Sequence, residues 1–157
     1  MSRLRTAAAR QTHRHPRAAT PGEGALGLLG LEARSANDLV AIVERGLPFA
    51  ALEQLKAHTD LPWEALCAWV QLPMRTLTRR RAAGRLDSGE SDRLVRAARL
   101  FHQLLELFEG DLGEARAWLA RPQRGLGGAT PLAFARTETG AREVERLLGR
   151  LGDGVLT

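Results

Sequence analysis

The chain has 157 residues, a formal net charge of +5, a hydrophobic content of 44% and an aromatic content of 4% without any Tyr. Abundant Ala, Leu and Arg without β-branched runs predict an all-α fold with an aliphatic core, and exclude an extensive sheet. A lone cysteine, Cys67, excludes an internal disulfide and a thiolate metal cluster, and no 18-residue apolar run is available to span a bilayer.

Residues 1–34 read as a basic, disordered tail carrying Arg3, Arg5, Arg10, Arg14, Arg17 and Arg34 against Glu23 and Glu32. No apolar run follows this basic start as a secretory leader requires, so a cytoplasmic protein is expected. The run Leu26–Leu31 could dock on the body, although its glycines weaken it as a helix. Ser35 and Asp38 then form a capping-box pattern ahead of Leu39, Ile42 and Val43 at helical spacing, with Gly46 as a stop. Pro48 opens a second helix, with Leu52 and Leu55 inward, that ends near Thr59. Pro62 opens a third, with Leu66, Trp69 and Val70 toward the core.

Gln71-Leu72-Pro73 makes a tight turn into a fourth helix, Met74 to about Ala83, closed by Gly84. Asp87 and Glu90 form a second box, opening the longest helix to about Glu109, with Leu94, Ala98, Phe101, Leu105 and Phe108 on one face. Asp111 and Glu114 start a short helix bearing Trp118. A glycine-rich loop over 121–129 leads to Thr130-Pro131, and Thr137 caps a last helix that Gly152 stops. The sequence thus predicts about eight short helices. They divide into a tail at 1–34, a helix-turn-helix unit at 35–86, and a long helix with a C-terminal unit at 87–157.

Trp63–Arg81 has the layout of a helix-turn-helix, whose second helix enters the major groove. Arg75, Thr76, Thr78 and Arg79 occupy the positions that face base edges, while Leu77 points to the core. Arg pairs bidentately with guanine, and Thr meets a base edge or a phosphate. Arg80, Arg81 and Arg85 suit phosphate contacts, which position a protein without reading sequence. The competing reading is a solvated basic face, or a helix-turn-helix that has lost DNA binding.

The order of short motifs goes further. Glu44-Arg45-Gly46-Leu47-Pro48, the Leu72–Arg80 segment around Arg75-Thr76-Leu77, Gly84-Arg85-Leu86 and Glu90-Ser91-Asp92-Arg93-Leu94 are followed by Ala117-Trp118-Leu119 and Pro122. Leu126-Gly127-Gly128, Thr130-Pro131-Leu132 and Thr137-Glu138-Thr139-Gly140-Ala141 with Val144 complete the series. Together they resemble the Xre/MbcA/ParS family of antitoxins, which neutralise RES-domain toxins. The resemblance implies an Xre-like helix-turn-helix bundle followed by a small helical toxin-binding domain, and a type II antitoxin rather than an enzyme. It also implies autorepression as a homodimer on operator DNA, and occlusion of the active site of a NAD-degrading RES toxin encoded by the adjacent gene. Ala133-Phe134-Ala135-Arg136 departs from the Leu- and Asp-containing stretch usual in the family, and the long basic tail is a second departure.

For toxin contact the candidates are Trp118, Leu119, Pro122, Leu126, Thr130, Pro131, Leu148, Leu151 and Val155. Trp is enriched among interface hot spots, but a Trp beside a glycine-rich loop also caps small cores. Leu126-Gly127-Gly128 lacks the spacing of a phosphate cradle and reads as a turn. No HExxH, clustered His with carboxylates or GxSxG occurs, so no catalytic residue, metal or cofactor is expected. A second functional class is a helix-turn-helix repressor with a C-terminal dimerisation domain and no toxin partner.

Overall fold

A computed structural model describes residues 24–154. Among these residues the chain forms eight α-helices and two short 3-10 turns, with no strand beyond an isolated bridge between Pro48 and Arg85. The helices are α1 (Ala36–Arg45), α2 (Phe49–Thr59), α3 (Trp63–Trp69), α4 (Met74–Ala83), α5 (Ser88–Leu107), α6 (Leu112–Ala120), α7 (Pro131–Phe134) and α8 (Glu138–Gly152).

The boundaries follow cap chemistry. Ser35 accepts from the Asp38 amide, Asp111 from Glu114, Thr130 from Ala133 and Thr137 from Gly140, each satisfying an otherwise orphaned N–H. At α5 the box is reciprocal: Asp87 accepts from the Glu90 amide at 2.7 Å, and Glu90 accepts from the Asp87 amide at 2.9 Å. At α1 the return bond moves one residue back, from the Arg34 amide to Asp38. The α5 helix ends at Leu107, short of the expected Glu109, which instead takes a positive φ of 53°.

Before α1 the run Leu26–Leu31 docks on the body, the alternative that the sequence left open, where a disordered tail to residue 34 was expected. The part of residues 1–34 that the structure describes belongs to the body. Gly27–Leu29 form a 3-10 turn, Gly30 closes it at φ 65°, and Leu26, Leu28 and Leu29 are buried against the core. The glycines that weaken a regular helix permit this tight reversal, which points three leucines the same way. Residues 1–23, where most of the expected tail lies, fall outside the described residues.

One hydrophobic cluster serves both halves of the sequence. Leu47, Leu52 and Leu55 from the first half meet Leu119, Val144 and Leu147 from the second around the buried α5 face of Leu94, Ala98, Phe101 and Leu104. The expected division near residue 87 therefore follows chain order rather than a break in packing. Arg116 strengthens the junction: its Nε and Nη2 donate to the His58 carbonyl at 3.0 and 2.9 Å, capping the end of α2. Ala-rich α6 is thereby fixed to the helix-turn-helix half through polar as well as apolar contacts.

Candidate nucleic-acid and partner interfaces

The α3 and α4 helices are separated by a turn in which Gln71 takes a positive φ of 51°, and Pro73 stands just before the second helix. Leu72 and Leu77 are buried, and they pin α4 by its inner face. Arg75, Thr78 and Arg79 are exposed and Thr76 is half-buried, so α4 presents the polar face expected of it. Met74, 44% exposed, adds an apolar edge to that face.

The three further arginines are engaged within the fold. Arg80 sits between Asp87 and Glu90, with charged atoms 2.8 Å from each. Glu90 is buried, so Arg80 neutralises a carboxylate that water barely reaches. Arg85 donates to the Gly46 carbonyl at 2.6 Å and holds the turn after α1. Arg81 lies 5.3 Å from the ring centres of both Phe49 and Trp63, and Lys56 lies 5.4 Å from that of Trp63. A cation over an aromatic face is attracted to its negative quadrupole. Arg81 and Arg85 remain exposed, whereas Arg80 is largely committed to the α5 capping box. Among the described residues, Arg75 and Arg79 are the α4 guanidinium groups that make no ion pair, hydrogen bond or aromatic contact.

The turn of the helix-turn-helix is bonded to the second half. Gln71 Nε2 donates to the Arg136 carbonyl at 2.6 Å, and Arg96 Nη2 reaches the same oxygen at 3.3 Å. Arg93 Nε donates to the Val70 carbonyl at 2.8 Å. Arg96 and Arg142 converge on Glu138 at 3.0 and 2.8 Å, clamping the start of α8 to α5. Hydrogen bonds from Arg142 and then Arg96 hold the Glu138 carboxyl below its ordinary value.

The candidate toxin contacts divide by exposure. Leu119 is fully buried, and Trp118, Leu126, Pro131 and Leu148 are buried with it. Their side chains build the core and leave little surface for a partner, because apolar packing of the small second half requires them. Pro122 is exposed, Thr130 and Leu151 are half-buried, and Val155 lies outside the described residues. Thr130 is also occupied as the α7 cap. Exposed apolar surface is found instead at Leu112 and Phe134, each 37% exposed, which the sequence did not single out. Leu132 and Arg136 line a shallow cleft of about 220 Å³ with Ala65 and Trp69. Phe134 lies in one of the two stretches that depart from the family pattern, a signal that could have drawn attention to it.

Cys67 is buried, and burial foremost pushes its thiol up, with Glu64 adding and Arg81 opposing; this suits a packing role rather than a nucleophile. His102 packs beneath Gly24 and is half-buried. Among the described residues no group of three or more His, Cys, Asp or Glu could hold a metal ion. No helix among them is long and apolar enough to cross a membrane.

Residues 38–99 match the antitoxin Xre-like helix-turn-helix domain, and residues 103–154 match the antitoxin Xre/MbcA/ParS C-terminal toxin-binding domain. An antitoxin Xre of Yersinia enterocolitica is 35% identical over 144 residues, covering 91% of this chain and 97% of the relative. The chain belongs to the Xre/MbcA/ParS family of antitoxins. An antitoxin Xre of Photorhabdus laumondii is 31% identical over 130 residues, 82% of this chain and 88% of its own. One from Pseudomonas putida is 34% identical over 84 residues, about half of each chain. The helix-turn-helix match takes in the first half of α5, so the family's two domains meet within a single continuous helix, as the shared core requires.

Proposed function

We propose that this chain neutralises a RES-domain toxin encoded by the adjacent gene, its second half occluding the toxin's NAD-consuming active site. The observation that carries this reading is the match of residues 103–154 to the toxin-binding domain of the family. Exposed Leu112, Pro122 and Phe134, with half-buried Leu132 and Leu151, are among the side chains of that half with apolar surface to offer. The protein acts by binding, without catalysis or cofactor, in the cytoplasm.

Operator binding and autorepression as a homodimer form the second part of the reading. Support comes from α4, where Arg75, Thr76, Thr78 and Arg79 are the residues proposed for base edges. Arg81 and Arg85 contribute phosphate contacts from their exposed surfaces, whereas Arg80 supports the helix from inside.

Co-expression with the adjacent gene's product tests the first part. A complex that copurifies, with growth restored and cellular NAD preserved, is the expected result. A folded antitoxin that leaves a RES toxin fully active would overturn it. For the second part, a promoter fragment of the operon should be retarded by the full chain, and Arg75→Ala should weaken the complex.

A further inference from the structure

The C-terminal halves of α5 and α8 enclose a surface groove of about 460 Å³. Its rim carries Glu106, Glu109 and Glu145, and its floor includes Leu107, Leu148 and Gly149; among the described residues no basic side chain lines it. Three carboxylates around an apolar floor repel one another and select an occupant that is cationic and partly apolar.

The chain itself contains such a segment. Ahead of Gly24 lie Arg3, Arg5, Arg10, Arg14 and Arg17, with Leu4 and Ala7, Ala8 and Ala9 among them and Glu23 as the single acid. The point where this segment joins the body is also fixed. A β-carbon placed on Gly24 would lie 2.9 Å from His102 Nε2, and that nitrogen is 3.5 Å from Glu106 Oε1. The segment therefore meets the body within about one helical turn of the groove's rim. Fully extended, it could reach roughly 75 Å, far more than the groove demands.

We propose that residues 1–23 dock in this groove of their own chain, with guanidinium groups on Glu106, Glu109 and Glu145 and their apolar side chains over Leu107 and Leu148. A single exposed ion pair contributes little, because solvent screens it. Several pairs reinforced by a covalent tether, whose effective concentration is on the order of millimolar, add up to an occupied site. The groove lies within the stretch matched by the toxin-binding domain, so the docked segment covers part of that surface. The docking itself does not depend on which partner the surface serves.

A nitroxide on the full chain tests this. Cys67 is 2% exposed and shielded from reagent, so Ala8→Cys directs a maleimide label to the basic segment. Amides of Glu106–Glu109 and Gly149–Gly152 should lose most of their intensity, while those of α4 stay sharp. The triple variant E106K/E109K/E145K should restore them with other amide shifts unchanged. Salt at about 0.5 M should weaken the broadening several-fold, since the Debye length there is only a few ångströms. Broadening no stronger in the groove than on α4 overturns the proposal, as does broadening indifferent to salt. Equal broadening of isotope-labelled chains by a separate nitroxide-bearing population overturns docking within one chain and assigns the groove to a second copy. The salt response of the unaltered groove decides the matter if the triple variant does not fold.

Discussion

The backbone N–H of Leu47 donates to Ser91 Oγ at 2.8 Å, joining residues 44 positions apart inside the core. The same hydroxyl donates onward to the Asp87 carbonyl at 2.6 Å. The entry to α2 and the first turn of α5 are thereby locked together. Replacing Ser91 with Ala leaves the Leu47 amide buried without a partner, at an expected cost of about 1–3 kcal/mol. The midpoint of urea unfolding measures this, and a midpoint equal to that of the parent would refute the role.

The arginines of α4 should separate by phenotype. Arg75→Ala and Arg79→Ala alter exposed side chains and should change stability by no more than about 0.5 kcal/mol. Each should weaken operator binding and relax specificity at the base it reads, by about 1–3 kcal/mol of discrimination, whereas Arg81→Ala, at a proposed phosphate contact, should reduce the slope of log affinity against log salt by about 1. Arg80→Ala should instead lower stability by about 1–3 kcal/mol by leaving buried Glu90 without its cation; partial exposure of Arg80 keeps the loss below that of a fully buried pair. Thermal melts and salt-dependent DNA retardation distinguish the two classes. Equal melts for Arg75→Ala and Arg80→Ala would contradict it.

At the start of α8, Gly140 leaves no room for a side chain. A β-carbon there would lie 1.8 Å from the Phe134 carbonyl oxygen. Gly140→Ala must push α7 away from α8, with an expected loss of at least about 1–3 kcal/mol, the usual range for overpacking. Gly149→Ala meets nothing within 4 Å and should be neutral or slightly stabilising through helix propensity. Comparing the two melting temperatures checks the steric cause directly.

Glu138 gives a pH signature. Its folded carboxyl titrates below the ordinary value because Arg142 and Arg96 bond the charged form. The clamp therefore contributes stability at neutral pH that disappears as pH falls through the ordinary and then the folded value. In a carboxyl NMR titration, Glu138 should titrate at lower pH than exposed glutamates. Arg142→Ala should move it upward by more than Arg96→Ala does. Coincident titration in all three proteins would show that the bonds are absent in solution.

Helix starts were legible in the sequence because each depends on a proline or on one short side chain and the amide three residues on, as at Pro62, Asp87 and Thr137. Leu77 was equally legible, since its neighbours on either side are polar. Arg80 was not: its partners Asp87 and Glu90 lie beyond the Gly84 turn, and only the fold brings them back. For the run Leu26–Leu31 the sequence left docking open without showing what it packs on, because its burial depends on contacts with α2 and α5 rather than on its own helical propensity. Trp118 and Leu119 were legible as important but not as interior, since hydrophobicity serves a core and an interface alike. Truncation after Gly110, a natural way to separate the two halves, would strip α5 of Leu119, Val144 and Leu147. Point substitutions on the surface are the cleaner instrument.

The Arg136 carbonyl, shared by Gln71 and Arg96, anchors the α3–α4 turn from outside the stretch that matches the helix-turn-helix domain. A hybrid that joins residues 38–99 of this chain to the second half of another family member would keep every side chain of α4. It would nevertheless inherit a foreign anchor for the bend that aims them. Operator choice in such hybrids should therefore track the origin of the α7–α8 corner as well as that of the recognition helix.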